Sequence, residues 1–198
     1  DTAPAEAPKL VKASISPDEI LFNVSGVLQV SINYISSYSK YPQPIFSLGG
    51  AVAMLSALMG SHYKTEDDLY SNLFCIAIGP TGCGKDAPRK AIKKVLQESG
   101  YAFNVADGIA SGAAVEDYLE NLGTTKPTAI FLLDEIGKLL QQLTGKNGDE
   151  HGIIAILLKM YTAVDSFYAK RIKAGIKHSI IRNPFVTLYG VSTADAIH

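Results

Sequence analysis

Apolar runs of strand length alternate with amphipathic segments along most of the chain, and this pattern predicts a parallel sheet flanked by helices. Residues 73–78 are continuously apolar, as expected for a parallel strand that is buried on both faces. Further strands are predicted near 102–106, over 128–133 and over 184–191. The predicted fold class is therefore α/β.

Helical spacing of apolar residues occupies the intervals between these strands. After residue 86 the apolar positions share one helix face and the basic residues take the other, namely Arg89, Lys90, Lys93 and Lys94. Ser111 is the predicted start of the next helix, and another is predicted over 136–143. Residues 144–152 are polar and Gly-rich, which predicts a loop. A last helix follows, with Ile153, Ile156, Leu157 and Met160 on one face.

The N-terminal part differs in composition from the rest. Residues 1–15 are rich in Pro and Ala, and we interpret them as a flexible linker within a longer protein. A capping box from Ser16 to Glu19 begins a predicted helical segment, 16–62. Within it, 45–60 is apolar nearly all round but shorter than the roughly 20 residues that a membrane span requires, so a buried helix is predicted. Residues 63–198 are the predicted core domain.

Composition and charge restrict the classes of function. A chain of 198 residues that is 47% hydrophobic can bury one substantial core. The net charge of −1 excludes a generally basic surface, so any contact with nucleic acid must be local. The two cysteines, Cys75 and Cys83, provide neither a disulfide framework nor a metal site. We expect a cytoplasmic protein without membrane contact.

One segment carries a phosphate-binding pattern. Residues 79–86 fit G-x-x-x-x-G-K-[S/T], the P-loop or Walker A motif, at every position except the last. In such a loop, backbone N–H groups and a helix N-terminus surround the phosphates with partial positive charge. Asp86 occupies the position where a hydroxyl normally reaches magnesium. The phosphate-binding loop is therefore retained, but a negative charge lies beside it. The candidate nucleotide-binding residues are Gly79, Pro80, Thr81, Gly82, Cys83, Gly84, Lys85 and Asp86. The alternative is a Gly-rich turn with an incidental Lys.

A second acidic signal follows about fifty residues later, where the apolar run 128–133 ends in Asp134 and Glu135. This is the form of a Walker B element, in which the Asp holds magnesium and the Glu takes a proton from the attacking water. The alternative is that Asp-Glu begins a helix and complements its dipole. The pairing with the P-loop favours the first interpretation.

The order of elements resembles a class of P-loop NTPase. One further strand intervenes along the chain between the loop strand and the Asp134 strand, as in the additional-strand (ASCE) ATPases of RecA-like or AAA+-like type. This resemblance implies that the strand after Walker B ends in a polar residue that senses the γ-phosphate. Ser192 or Thr193 is the candidate, and both hydroxyls are also suited to capping the next helix.

A basic segment without acidic residues precedes the last strand, over 166–182. Alternation around Gly175 predicts a β-hairpin, a position where ring helicases of superfamily III carry a DNA-gripping element. The clustered charges offer phosphate contacts without base readout, and the candidates are Lys170, Arg171, Lys173 and Lys177. A solvated charged ribbon is the alternative. Arg171 and Arg182 are also candidates for an arginine finger that acts on a neighbouring subunit.

The blocks 42–44, 63–67, 79–89, 109–113, 132–140 and 188–193 together resemble the helicase-type ATPase domain of phage, plasmid and mobile-island replication proteins. These domains are often fused behind a primase, and the resemblance covers most of 20–198. Members with G-K-D and a nearby Pro-Arg belong to the same group, which makes Asp86 a variant of the site. The resemblance implies a homo-oligomer, a hexameric ring, that moves on single-stranded DNA.

These signals together predict an ATPase that uses ATP and Mg²⁺. Lys85 would neutralise the β- and γ-phosphates, and Asp134 would hold the metal together with Asp86. Glu135 would orient the attacking water. Two carboxylates beside a triphosphate predict an unusually strong metal dependence of nucleotide affinity. The alternative function is a non-hydrolysing, nucleotide-dependent scaffold or helicase loader.

Overall fold

The computed structural model describes residues 24–144, 148–170 and 179–196. The helices are α1 (Gly26–Ser36), α2 (Pro44–Met59), α3 (Ala87–Glu98), α4 (Gly112–Asn121), α5 (Ile136–Thr144) and α6 (Gly148–Thr162). The strands are β1 (Phe74–Ile78), β2 (Val105–Ala106), β3 (Thr128–Leu133), β4 (Phe167–Ala169), β5 (Ile180–Arg182) and β6 (Phe185–Ser192). Short 3₁₀ turns lie at Gly60–His62, Ala102–Asn104 and Ala194–Ala196.

Among the described residues, four parallel strands form the main sheet in the order β1-β6-β3-β2. All eight residues of β6 are buried, because β6 lies between β1 and β3 and has helices over both faces. Ser192 is opposite Ile78, and Gly190 is opposite Leu133. The P-loop, the Asp134 turn and the end of β6 therefore leave the sheet at the same edge. The predicted α/β fold with a parallel sheet is confirmed.

Alternate residues of the strands pack into separate hydrophobic cores on the two faces. One core joins Phe131, Val186 and Leu188 to helices α4, α5 and α6. The predicted apolar face of α6 lies in this core, with Ile153, Ile156, Leu157 and Met160 each 3% exposed or less. The other core joins Ile130, Leu132, Tyr189 and Val191 to α2 and α3. This period-two alternation is what a sheet covered on both faces requires.

Helix α2 lies against the sheet and is the buried helix predicted over 45–60. Pro44 occupies its first turn, where a missing N–H costs little. Ala53, Met54 and Ala57 enter the core beside α3. By length and composition alone, Pro44–His62 could cross a membrane, but half of that window is buried inside the fold. The division between segments 16–62 and 63–198 stays a prediction.

Strand β1 departs from the prediction that it is buried on both faces. Ile76 and Ile78 are 40% and 50% exposed. Helices α2 and α3 cover the face that carries Ala77. On the opposite face the described helices lie mainly over β6, and the contact with β1 is at Phe74, whose ring lies 5.2 Å from that of Tyr161. The outer end of β1 therefore remains open on one face.

Two further predictions need correction, and one lies outside the described residues. The strand expected near 102–106 is only Val105–Ala106, because Ala102–Asn104 forms a 3₁₀ turn. Residues 148–152, expected in a loop, are the first turn of α6, where the acidic positions 149 and 150 favour a helix N-terminus. The capping box at Ser16 lies outside the described residues.

Candidate functional site

The predicted P-loop is a loop between β1 and α3 with two residues in the left-handed region. Gly82 has φ +79° and Gly84 has φ +89°, conformations that residues with a side chain rarely adopt. The Gly79 N–H donates to the Ser192 carbonyl at 3.1 Å, which ties the start of the loop to the end of β6. The Ala87 N–H donates to the Gly84 carbonyl at 3.1 Å as α3 begins.

The connection between α1 and α2 packs directly on this loop, a contact that was not predicted from the sequence. A Cβ atom on Gly84 would lie 2.6 Å from Ser39 Oγ and 2.8 Å from the Tyr41 carbonyl oxygen. Only glycine satisfies both this space and the positive φ. The break at 41–44 was visible in the sequence, but nothing in its composition indicated that it touches the P-loop.

Lys85 is turned back onto its own loop. Its ammonium donates to the carbonyls of Gly79 and Pro80, each at 3.1 Å. Behind it, the hydroxyl of Tyr189 donates to the Lys85 carbonyl at 3.5 Å. Burial is the main reason that the pKa of the Tyr189 hydroxyl is raised, so this group remains a donor. Phosphates that enter the loop would compete with the two carbonyls for the Lys85 ammonium.

Arg89 joins the two carboxylates that were predicted to hold metal. Its Nη1 lies 3.4 Å from Asp86 Oδ1 and 3.0 Å from Asp134 Oδ2. The Arg89 side chain is 15% exposed, whereas those of Asp86 and Asp134 are 56% and 63% exposed. The sequence pattern placed Arg89 on the helix face opposite the apolar residues and did not indicate that its side chain would be half-buried against the two carboxylates. The distance to Asp134 arises from tertiary structure and leaves no signal in helical spacing.

Asp134 and Glu135 form the turn that connects β3 to α5. Glu135 has φ +50°, which is a strained conformation for a residue other than glycine. Such a conformation costs of order 1–3 kcal/mol. Both residues are exposed and line an open cleft of about 380 Å³. Asp107, Gly108 and Ile109, which follow β2, form the other side of this cleft. The strained backbone therefore coincides with the residue predicted to orient water.

The two γ-phosphate sensor candidates at the end of β6 differ in their surroundings. Ser192 is 1% exposed, and its hydroxyl donates to the Thr193 carbonyl at 3.1 Å. It lies beside Gly137, where an added Cβ would come within 2.5 Å of Ser192 Oγ and would also collide with the Ala196 carbonyl. Thr193 is only half-buried. The hydroxyl of Ser192 is therefore already engaged, and Thr193 is the more accessible of the two.

The structure describes the two strands at the base of the predicted basic hairpin. Strands β4 and β5 pair antiparallel, with Phe167 opposite Arg182. Arg182 is exposed on β5. Lys170 is 16% exposed and binds Asp117 at 2.8 Å and Glu120 at 2.6 Å, so its charge already has partners within the fold. Arg171, Lys173 and Lys177 lie outside the described residues.

The residues present fit a nucleoside triphosphate with its magnesium ion. A Cβ on Gly82 would meet no atom within 4 Å, so the loop has open space where phosphates would approach its amides. Asp86 and Asp134 place carboxylate oxygens around a single nitrogen of Arg89. Oxygen ligands from one or two carboxylates, with phosphate, are what Mg²⁺ prefers in such sites.

Comparison with known families agrees with this geometry. A family model described as "ATPase family associated with various cellular activities (AAA)" matches residues 75–185. The matched range includes the P-loop, Asp134 and Glu135 and covers more than half of the 198 residues. A comparison with curated proteins found no significant match. The chain belongs to the AAA family of ATPases.

Proposed function

We propose that this AAA domain is the ATP-hydrolysing motor of a replicative DNA helicase, or primase–helicase, of a mobile element or phage. The observation that carries the ATPase part is the common sheet edge, where the P-loop, Asp134 and the end of β6 meet. The helicase part rests on the resemblance of the sequence blocks and on the hairpin β4–β5 between Walker B and β6.

The chain's own residues would bind and orient the nucleotide. The amides of residues 79–84 would surround the phosphates, and Lys85 would exchange its loop carbonyls for phosphate oxygens. Asp86 and Asp134 would hold Mg²⁺, which supplies charge neutralisation and orients the phosphates when bound. Glu135 would accept a proton from the attacking water. Thr193, or Ser192 after release of its bond to the Thr193 carbonyl, would hydrogen-bond the γ-phosphate.

The nucleic-acid contact would come from the hairpin. Lys170 is held by Asp117 and Glu120, so the phosphate contacts fall to Arg171, Lys173 and Lys177. Exposed Arg182, or Arg171, would act in trans on the γ-phosphate bound by a neighbour in a hexameric ring. A primase domain upstream in the same chain and a cytoplasmic location complete the proposal.

The test is the ATPase rate with and without single-stranded DNA. We expect DNA to stimulate the wild type several-fold and expect Lys173→Met with Lys177→Met to remove most of that stimulation while the basal rate persists. Lys126→Met, which removes one exposed charge elsewhere, is the control. A wild type that hydrolyses ATP but never responds to DNA would contradict the helicase assignment. A fork-unwinding assay on the full-length protein would then distinguish a helicase from a DNA-stimulated ATPase.

A nucleotide-dependent scaffold or helicase loader is the second candidate. It is favoured by one observation, the engagement of both metal-site carboxylates by Arg89, which opposes metal entry. A scaffold would bind ATP and assemble without turnover. The absence of turnover in both wild type and Glu135→Gln, with ATP binding intact, would support this candidate against the motor.

A further inference from the structure

A permanent cation of the protein itself lies between the two acidic groups of the site. The same nitrogen of Arg89 is within 3.4 Å of Asp86 and 3.0 Å of Asp134. A guanidinium does not deprotonate in proteins, so this charge is present at every working pH. Arg89 belongs to α3, whereas Asp134 follows β3, and the bridge therefore connects the P-loop helix to the neighbouring acidic turn.

While Arg89 Nη1 contacts the two carboxylates, another donor of the same guanidinium lacks an acceptor. Arg89 Nε is buried, and among the described residues it has no hydrogen-bond partner. Both contacts to the carboxylates are made by Nη1 alone. A buried N–H without an acceptor is unfavourable, so the arrangement is one that a guanidinium would leave if a better cation took the carboxylates.

We propose that Arg89 is the counter-cation of the metal-free site: it pairs with Asp86 and Asp134 and offsets one of their two negative charges until Mg²⁺ arrives, and then yields the carboxylates to the ion. The inference rests on the proposed binding of Mg-ATP at this site. It predicts that a triphosphate can approach the loop without metal, because Arg89 offsets one of the two negative charges and leaves the three groups with a net charge of about −1. It thereby replaces the expectation from sequence that nucleotide affinity depends unusually strongly on metal.

The same arrangement makes Arg89 a competitor of the metal. Mg²⁺ and the guanidinium require the same two carboxylates, and both cannot be satisfied at once. Without Arg89, the nucleotide-free site should bind a divalent cation more tightly. Metal-free nucleotide should bind more weakly to the same variant, because two unpaired carboxylates would repel the triphosphate. These opposite changes are not expected from a residue that only supports the fold.

The test compares wild type, Arg89→Met and Lys90→Met by titration with a fluorescent ATP analogue, in excess Mg²⁺ and in EDTA. Lys90 is exposed on the same helix, so Lys90→Met is a control matched in charge. We expect Arg89→Met to lose about tenfold in affinity in EDTA and less than about threefold in Mg²⁺, as for the loss of one charge-assisted pair. Lys90→Met should follow the wild type in both conditions.

A second measurement uses the nucleotide-free protein and Mn²⁺ alone, detected by electron paramagnetic resonance. Arg89→Met should bind Mn²⁺ about tenfold more tightly than wild type. Unchanged Mn²⁺ affinity, or equal losses of nucleotide affinity in EDTA and Mg²⁺, would overturn the role of Arg89. Wild type that binds no nucleotide even in Mg²⁺ would instead refute the proposed function, and the inference with it.

Variants of Asp86 keep the inference testable if Arg89→Met folds poorly. Asp86→Asn leaves Arg89 in place and removes one acidic charge, so metal-free nucleotide affinity should equal or exceed that of wild type. In the double variant, Asp86→Asn should restore the metal-free affinity of Arg89→Met to within about threefold of wild type. Failure of this rescue would show that Arg89 does not act through the carboxylate.

Discussion

Tyr168 donates a 2.6 Å hydrogen bond to the carboxylate of Glu116, which is completely buried. Tyr168 lies on the first hairpin strand and Glu116 on α4, so a buried polar contact attaches the hairpin to the body of the domain. The Lys170 contacts to Asp117 and Glu120 lie on the same helix at the surface. The base of the hairpin is thus held by charged and hydrogen-bonding groups as well as by apolar packing.

Replacing Tyr168 by Phe should destabilise the protein by about 2 kcal/mol, because a buried carboxylate loses a donor that water cannot replace. Tyr101→Phe removes the same hydroxyl from a residue that is 47% exposed and is the control. Chemical denaturation of both variants provides the comparison. Equal free energies of unfolding for the two would show that the buried hydrogen bond contributes nothing.

Lys170→Met should destabilise the protein by about 1 kcal/mol at neutral pH, since its two carboxylate partners are partly exposed. Hydrogen bonds from Lys170 and then Ser179 lower the pKa of Glu120. A carboxyl group whose pKa is lowered in the folded state stabilises the protein at pH values above its ordinary pKa. This stabilisation disappears as the pH falls through the pKa of the folded state. The difference between wild type and variant should therefore shrink below about pH 4. A difference that persists at lower pH would contradict the ion pairs.

Much of the fold was predictable because local and tertiary preferences agree. The apolar runs before Gly79 and Asp134 are strands, and Ser111 is a helix cap whose hydroxyl accepts from the Ala114 N–H at 3.1 Å. The fully buried β6 was predicted to within one residue at each end. In these segments the tertiary contacts favour the same secondary structure as the local sequence does.

The missed features depend on contacts between distant parts of the chain. The position of Arg89 follows from the approach of β3 to α3, which helical periodicity cannot express. The contact of Ser39 and Tyr41 with Gly84 likewise depends on how α1 and α2 pack. The exposure of Ile76 arises because the helices on that face lie mainly over β6, although its own run is as apolar as a buried strand.

Gly84→Ala should abolish nucleotide binding. Alanine at this position would have an unfavourable positive φ, and its Cβ would collide with Ser39 Oγ and the Tyr41 carbonyl oxygen. The P-loop would have to move to relieve these collisions. Gly100→Ala is the control, because Gly100 has φ +80° and open space around its Cβ, so it carries the backbone strain alone. Titration with a fluorescent ATP analogue compares them. Normal affinity in Gly84→Ala would contradict the described loop.

Asp86→Ser restores the usual P-loop residue and tests whether the carboxylate replaces a hydroxyl. If it does, ATP turnover should be preserved or should increase, because a hydroxyl reaches Mg²⁺ at this position in the common motif. Steady-state phosphate release at saturating ATP and Mg²⁺ is the measurement. A large loss of turnover would show that the site requires its acid and that the hydroxyl is no substitute.

The central claim is that the P-loop and the Asp134–Glu135 turn form one ATPase site. Its most direct test is steady-state phosphate release from Mg-ATP by wild type, Glu135→Gln and Glu66→Gln, where Glu66 is an exposed acid used as control. We expect turnover by wild type and Glu66→Gln and a loss of at least about 100-fold in Glu135→Gln, with ATP affinity retained. Equal turnover in wild type and Glu135→Gln would contradict the claim.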